Sequence, residues 1–135
     1  MKSPHAERRI AENGGEIVYH AFGSGRPVLF VNGLAGSWHA FRHQITHLSD
    51  RYRCLVWDYR GLFRGRDDPP ERTRNIAEHA RDALAILEHE GVERTAVLGW
   101  SLGVPVVLQL FSTAAERLSS LLLVGGGARA PWGKA

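Results

Sequence analysis

The chain has 135 residues, 44% of them apolar and 23% charged, enough for one hydrophobic core and too rich in apolar residues for wholesale disorder. A formal charge of +3, dispersed along the sequence, gives no ground for expecting a nucleic-acid partner. The single cysteine, Cys54, excludes a disulfide framework and a cysteine-based zinc site.

The start, Met1 to Arg9, has no apolar core and is not a secretory signal. Residues 7–12 and 16–22 then flank Asn13-Gly14-Gly15, a hairpin signal. Pro27-Val28-Leu29-Phe30-Val31 is a short continuous apolar run, as in a strand buried on both faces, and it ends in the small-residue loop 32–37. Trp38, Phe41, Ile45 and Leu48 fall three and four apart, which predicts a helix over 38–49. Cys54-Leu55-Val56-Trp57 reads as the next strand, closed by Asp58, and residues 58–72 as a loop rich in Arg, Asp and Pro.

From Asn75 the helical pattern returns, with Ile76, Ala80, Ala83, Leu84 and Leu87 on one face. Asn75 and Glu78 have capping-box spacing, and Gly91 stands where a helix-ending glycine is expected. Thr95 to Leu98 is a strand, 99–103 a sharp turn, 104–115 a helix, and Leu121 to Val124 a last strand. The apolar stretch Ala96 to Phe111 is broken by Gly99, Ser101, Gly103, Pro105 and Gln109 and is shorter than the roughly 20 residues a bilayer span needs. A cytoplasmic protein with no membrane partner is expected, and Cys54 suits a reducing compartment. Strands alternating with amphipathic helices predict an α/β fold, a mostly parallel sheet flanked by helices in one domain over 1–135. Ligands meet such sheets at the carboxyl ends of the strands, which directs attention to loops 32–37, 58–72 and 99–103.

Gly99-Trp100-Ser101-Leu102-Gly103 fits G-x-S-x-G between a predicted strand and a predicted helix. In that setting the motif is a nucleophile elbow. Side chains at the two glycine positions would meet neighbouring backbone, the serine hydroxyl is lifted clear of the sheet, and the helix start behind it offers unpaired N–H groups to a developing oxyanion. Pro105 agrees, because a proline in the first helical turn forfeits little hydrogen bonding.

From about residue 10 to 127 the chain resembles the α/β-hydrolase family. Pro27 to Ser37 is similar to the family's third strand and oxyanion loop, with Asn32-Gly33 where His-Gly is usual. Asp58-Tyr59-Arg60-Gly61 matches its Asp-x-Arg-Gly segment, whereas Leu62, Phe63 and Gly65 stand where His, Gly and Ser are common. The resemblance implies Ser101 as nucleophile, with the backbone N–H groups of Leu102 and Leu34 as oxyanion donors. It implies a small-molecule acyl substrate (an ester, thioester, lactone or amide) and no cofactor. Serine at the elbow argues against dehalogenase- or epoxide-hydrolase-like relatives, which use Asp there.

A serine hydroxyl needs a base. In this fold the acid and then the histidine follow the serine. After Ser101 there is one acidic residue, Glu116, and no histidine. The chain is therefore expected to represent the N-terminal half of the fold, without its C-terminal strands, with at most impaired activity. The alternative is a catalytically silent binding or interaction fragment.

His39, His43 and His47 recur every four residues, but with no carboxylate motif beside them they read as a solvated helix face, and no metal is expected. Asn32 is either a plain turn residue or part of the site. Asp58 either pairs with Arg60 or caps the loop. Arg60, Arg64, Arg66, Arg72 and Arg74 form a mixed-sign solvated loop with Asp67, Asp68 and Glu71, or else meet an anionic substrate. Trp38, Trp57 and Trp100 either wall a pocket or pack in the core. Uncovered, the apolar strand at 120–124 is expected to self-associate through its edge.

Overall fold

A computed structural model of the chain describes residues 5–12, 15–34, 37–60 and 74–127. The Asn13-Gly14 turn, Leu62, Phe63, Arg64, Gly65, Arg66, Asp67, Asp68, Glu71 and Arg72 lie outside the described residues.

Strands β1 (His5–Glu12) and β2 (Gly15–Phe22) form the antiparallel hairpin, with Glu12 opposite Gly15. After β3 (Arg26–Val31), a 3-10 turn at Trp38–Phe41 leads into α1 (Arg42–Leu48) and then β4 (Tyr52–Trp57). The predicted 38–49 helix is thus tighter in its first turn than expected. Two acceptors hold that turn: the Ser37 hydroxyl takes the His39 N–H at 3.3 Å, and the Asp58 carboxylate takes the Trp38 N–H at 2.6 Å. Helix α2 (Ile76–His89) opens on the expected capping box, Asn75 accepting from the Glu78 N–H at 2.8 Å and Glu78 from the Asn75 N–H. It ends before Gly91, whose φ is 66°. Strand β5 (Thr95–Trp100), α3 (Gly103–Ala114), a short 3-10 turn and β6 (Leu118–Val124) complete the order.

The result is a six-stranded mixed sheet in the order β1-β2-β4-β3-β5-β6. Strands β4, β3, β5 and β6 are parallel neighbours, and the hairpin adds to β4 antiparallel. One face carries Ile17, Tyr19, Leu29, Val31, Leu55, Trp57 and Val97 packed against α2 and α3. The opposite face carries Phe30, Cys54 and Val56 under Phe41 and Ile45 of the α1 segment. Burial pushes the Cys54 thiol up to about 11, so this cysteine is a core residue.

The path from β3 runs through α1 to β4 on one side, and that from β5 through α3 to β6 on the other. Between β3 and β5 the winding reverses, and a crevice opens at the carboxyl ends of the two strands. No helix among the described residues is long and apolar enough to cross a membrane.

Candidate active site

Two of the three segments that the sequence singles out, those beginning at Asn32 and at Gly99, stand at this crevice, because Val31 pairs in register with Gly99. Ser101 lies at the junction of β5 and α3 with φ of 55°, and among the described residues it alone of the non-glycines has positive φ. Left-handed backbone costs an L-residue roughly 1–2 kcal/mol, so the turn is held by its surroundings. The Ser101 N–H donates to Val124 O at 2.9 Å, and the Val104 N–H closes the turn on Ser101 O at 3.0 Å.

The two motif glycines are required by space. A Cβ on Gly103 would collide with the carbonyls of Val31 and Asn32, and one on Gly99 would stand 2.9 Å from Gly103 O and from Val107 Cγ2. Helix α3 therefore lies directly against β3 and β5, and its first turn follows Ser101 at once. Pro105 falls within that first turn, where a missing N–H costs no helical bond.

The loop after β3 approaches the elbow from the other side. A Cβ on Gly33 would lie 3.3 Å from Ser101 Cβ and 3.0 Å from the Trp100 ring. Leu34 follows in the turn, its side chain half-exposed, and Leu102 stands at the N-cap of α3. Neither the Leu34 nor the Leu102 N–H makes a hydrogen bond among the described residues. The three residues named from sequence are thus gathered at one place, around two N–H groups without a described partner.

Asn32 does more than occupy a turn. Fully buried, it accepts the Gly33 N–H on Oδ1 at 2.8 Å and donates from Nδ2 to Ser37 O at 2.6 Å, across the loop. Asp58 acts as the cap, at the far end of the same loop.

Arg60 corrects the reading of a solvated arginine loop. It is buried and grips Asp82 of α2 with two bonds, Nε to Oδ2 at 2.8 Å and Nη2 to Oδ1 at 2.6 Å, while Nη1 donates to Glu12 O. Burial raises the pKa of Asp82, and the Arg60 guanidinium opposes it. Arg74 is buried nearby. Sequence reasoning passed over Asp82, His79 and Tyr59. The available signal was two polar residues, His79 and Asp82, on the inward face of α2 beside an arginine-rich segment.

Trp57 is wholly buried and packs edge-on against Tyr59 at 5.5 Å, so it is core. Trp38 sits in an aromatic group with His20 and Phe22 and stacks on His39. Trp100 borders an apolar cleft of about 250 Å³, lined also by Ala40, Phe41, Gln44, Leu98 and Val124. His39, His43 and His47 are exposed. Among the described residues no three potential metal ligands cluster, and no histidine hydrogen-bonds the Ser101 hydroxyl.

Against this geometry, a family model for the alpha/beta hydrolase fold matches residues 26–135. The chain belongs to the α/β-hydrolase family. It is 37% identical over 116 residues to the protein named "Putative carbamate hydrolase RutD" of Azorhizobium caulinodans, covering 85% of this chain and 43% of that protein. It is 36% identical over 92 residues to epoxide hydrolase 1 of Siraitia grosvenorii, covering 67% of this chain and 29% of that enzyme. Among solved structures, Est816, described as an N-acyl homoserine lactone degrading enzyme, superposes with a TM-score of 0.81 at 26% identity, covering 92% of this chain and 49% of that one. The α/β-hydrolase likeness therefore extends to an epoxide hydrolase, company that a serine at the elbow argued against. The chain spans less than half the length of each of these relatives.

Proposed function

We propose that this chain carries the nucleophile half of a serine hydrolase acting on an ester, thioester, lactone or amide. The observation that carries the reading is Ser101 at positive φ on the β5–α3 turn, with Gly33 so near that a Cβ on it would lie 3.3 Å from Ser101 Cβ. Ser101 Oγ adds to the substrate carbonyl while a base takes its proton. The N–H groups of Leu34 and Leu102 hold the oxyanion, and the leaving group departs with a proton. Water then releases the acyl group. The acid and the histidine base are not among the residues described around Ser101. A lactone is within this substrate class, and Est816 is described as degrading one. In the same proposal the chain is a partial domain of a cytoplasmic protein, and the β6 edge pairs with a second copy.

A second reading, a catalytically silent binding module, is favoured by one observation: no described histidine reaches Ser101.

Initial rates on p-nitrophenyl acetate and an N-acyl homoserine lactone separate the two. The first reading expects slow turnover that depends on Ser101 and that falls in Ser101→Ala to what oxyanion donors and binding alone sustain, at most roughly 10³–10⁴ above water. Turnover untouched by Ser101→Ala, or found only on an epoxide, contradicts it.

A further inference from the structure

We infer that Tyr59 is a positioning residue, whose phenol acts through Asn32 to set the oxyanion turn at Gly33-Leu34. The inference rests on Ser101 as the nucleophile and names a group that the motif does not contain. Tyr59 is the second residue past β4, and its side chain is 1% exposed. A buried phenol needs an acceptor, and this one reaches 27 residues back to Asn32 O at 2.5 Å, the short end of the hydrogen-bond range.

That carbonyl belongs to the peptide group whose N–H is Gly33's, and the Gly33 N–H is held in turn by Asn32 Oδ1 at 2.8 Å. Both polar ends of one peptide plane are thereby fixed, the oxygen by Tyr59 and the nitrogen by Asn32's own side chain. Two consequences follow. The Gly33 N–H is occupied, whereas the next one, on Leu34, has no partner among the described residues. The turn also cannot rotate about residue 32 without breaking two buried bonds, each costly to leave unmade.

The ring itself is wedged, edge-on to Trp57 at 5.5 Å and 4.4 Å from His79. Burial raises the phenol's pKa, so its O–H remains a donor at every working pH. Asp58, the neighbouring residue, holds the other end of the loop through the Trp38 N–H. The two residues that follow strand β4 thus anchor the oxyanion loop at its start and its finish.

The test is the reaction of the 135-residue chain with a fluorophosphonate. The Ser101 Oγ–P bond forms, the P–F bond breaks, fluoride leaves, and the hydroxyl proton passes to water. The limiting rate depends on how the phosphoryl oxygen is held in the transition state, and the half-saturating probe concentration on binding. Losing an oxyanion donor outright costs about 10²–10³. Loosening its support through Tyr59→Phe is expected to cost about tenfold in limiting rate, with the half-saturating concentration unchanged. Asn32→Ala is expected to do at least as much, and the double variant no more than Asn32→Ala alone, because both act on one peptide.

Circular dichroism establishes that each variant is folded. Should Tyr59→Phe lose its fold, Asn32→Ala carries the test. Labelling that Tyr59→Phe leaves at the unaltered rate, or that Asn32→Ala does where it stands in, overturns the inference while leaving Ser101 as nucleophile. Labelling that survives Ser101→Ala, or no labelling of the unaltered chain, overturns the nucleophile reading and the inference with it.

Discussion

At Ser101 the backbone works against the residue type. Its φ of 55° is tolerated by glycine and resisted by any side chain. Ser101→Gly and Ser101→Ala both delete the hydroxyl, but only the first relieves the turn. The glycine variant is expected to be more stable than the alanine variant by about 1 kcal/mol, read as the difference in urea midpoints. Equal midpoints would mean that the turn is not strained.

His79 carries the other residue-scale prediction. Burial first, then the Arg74 charge, press its imidazole toward the neutral form. Arg60 adds to this and Glu78 opposes it, and the pKa falls from 6.5 to about 4. The unfolded chain therefore binds this proton more readily between those values, and stability must rise with pH across that window. The contribution, on the order of 3 kcal/mol, is complete above pH about 6.5 and lost as pH falls through about 4. His79→Phe should lose less stability than the unaltered chain between pH 7 and pH 4.5. Parallel losses would contradict the assignment.

Serine and glycine at the elbow were legible in the sequence because the motif encodes steric exclusion, and the contacts at Gly99 and Gly103 are the ones it demands. Tyr59 and Asp82 were not legible. Their roles depend on partners 27 and 22 residues away, brought together by the crossover from β3 to β4 for Tyr59 and by the packing of α2 near the end of β4 for Asp82.

Elements obey local rules more closely. Helix α2 starts where Asn75 and Glu78 cap each other, and Asn75→Ala should cost about 1 kcal/mol in thermal or urea unfolding. No loss would show the box to be an exposed, idle contact. The periodicity of α2 placed Ala80, Ala83 and Leu87 inward but omitted Ile86, which is wholly buried. The 38–49 periodicity found the right face, with Phe41 and Ile45 buried, but not the 3-10 first turn. That turn is held by Ser37 and by Asp58, a residue that follows β4, and local spacing carries no trace of the second. Strand β6 proved longer than its apolar core, because Leu118 pairs with Thr95 across a register shift and Ser120 with Ala96.

At the scale of the whole molecule, β6 is the outermost strand among the described residues. Leu121, Leu122, Leu123 and Val124 are each more than a third exposed, and among the described residues no strand pairs beyond them. Such an edge recruits another chain. Sedimentation should show a weight-average mass that rises with concentration up to about 100 µM, and Leu122→Glu should lower it. A clean monomer of the unaltered chain at that concentration would contradict pairing through β6. The mostly parallel sheet was readable from alternating strands and helices, and the family from Gly99–Gly103 and Asp58–Gly61, whereas the winding reversal between β3 and β5 emerges only from the strand order. The groups that complete the chemistry at Ser101 were not, since none of the described histidines is brought there.

The central claim is that this fold presents Ser101 as a nucleophile, and site-resolved mass spectrometry of the fluorophosphonate-treated chain tests it most directly. The account predicts one adduct, on the peptide containing Ser101, lost in Ser101→Ala and lost on denaturing the chain before treatment. An adduct distributed over other hydroxyls, or one on Ser101 that persists in the denatured chain, would contradict it.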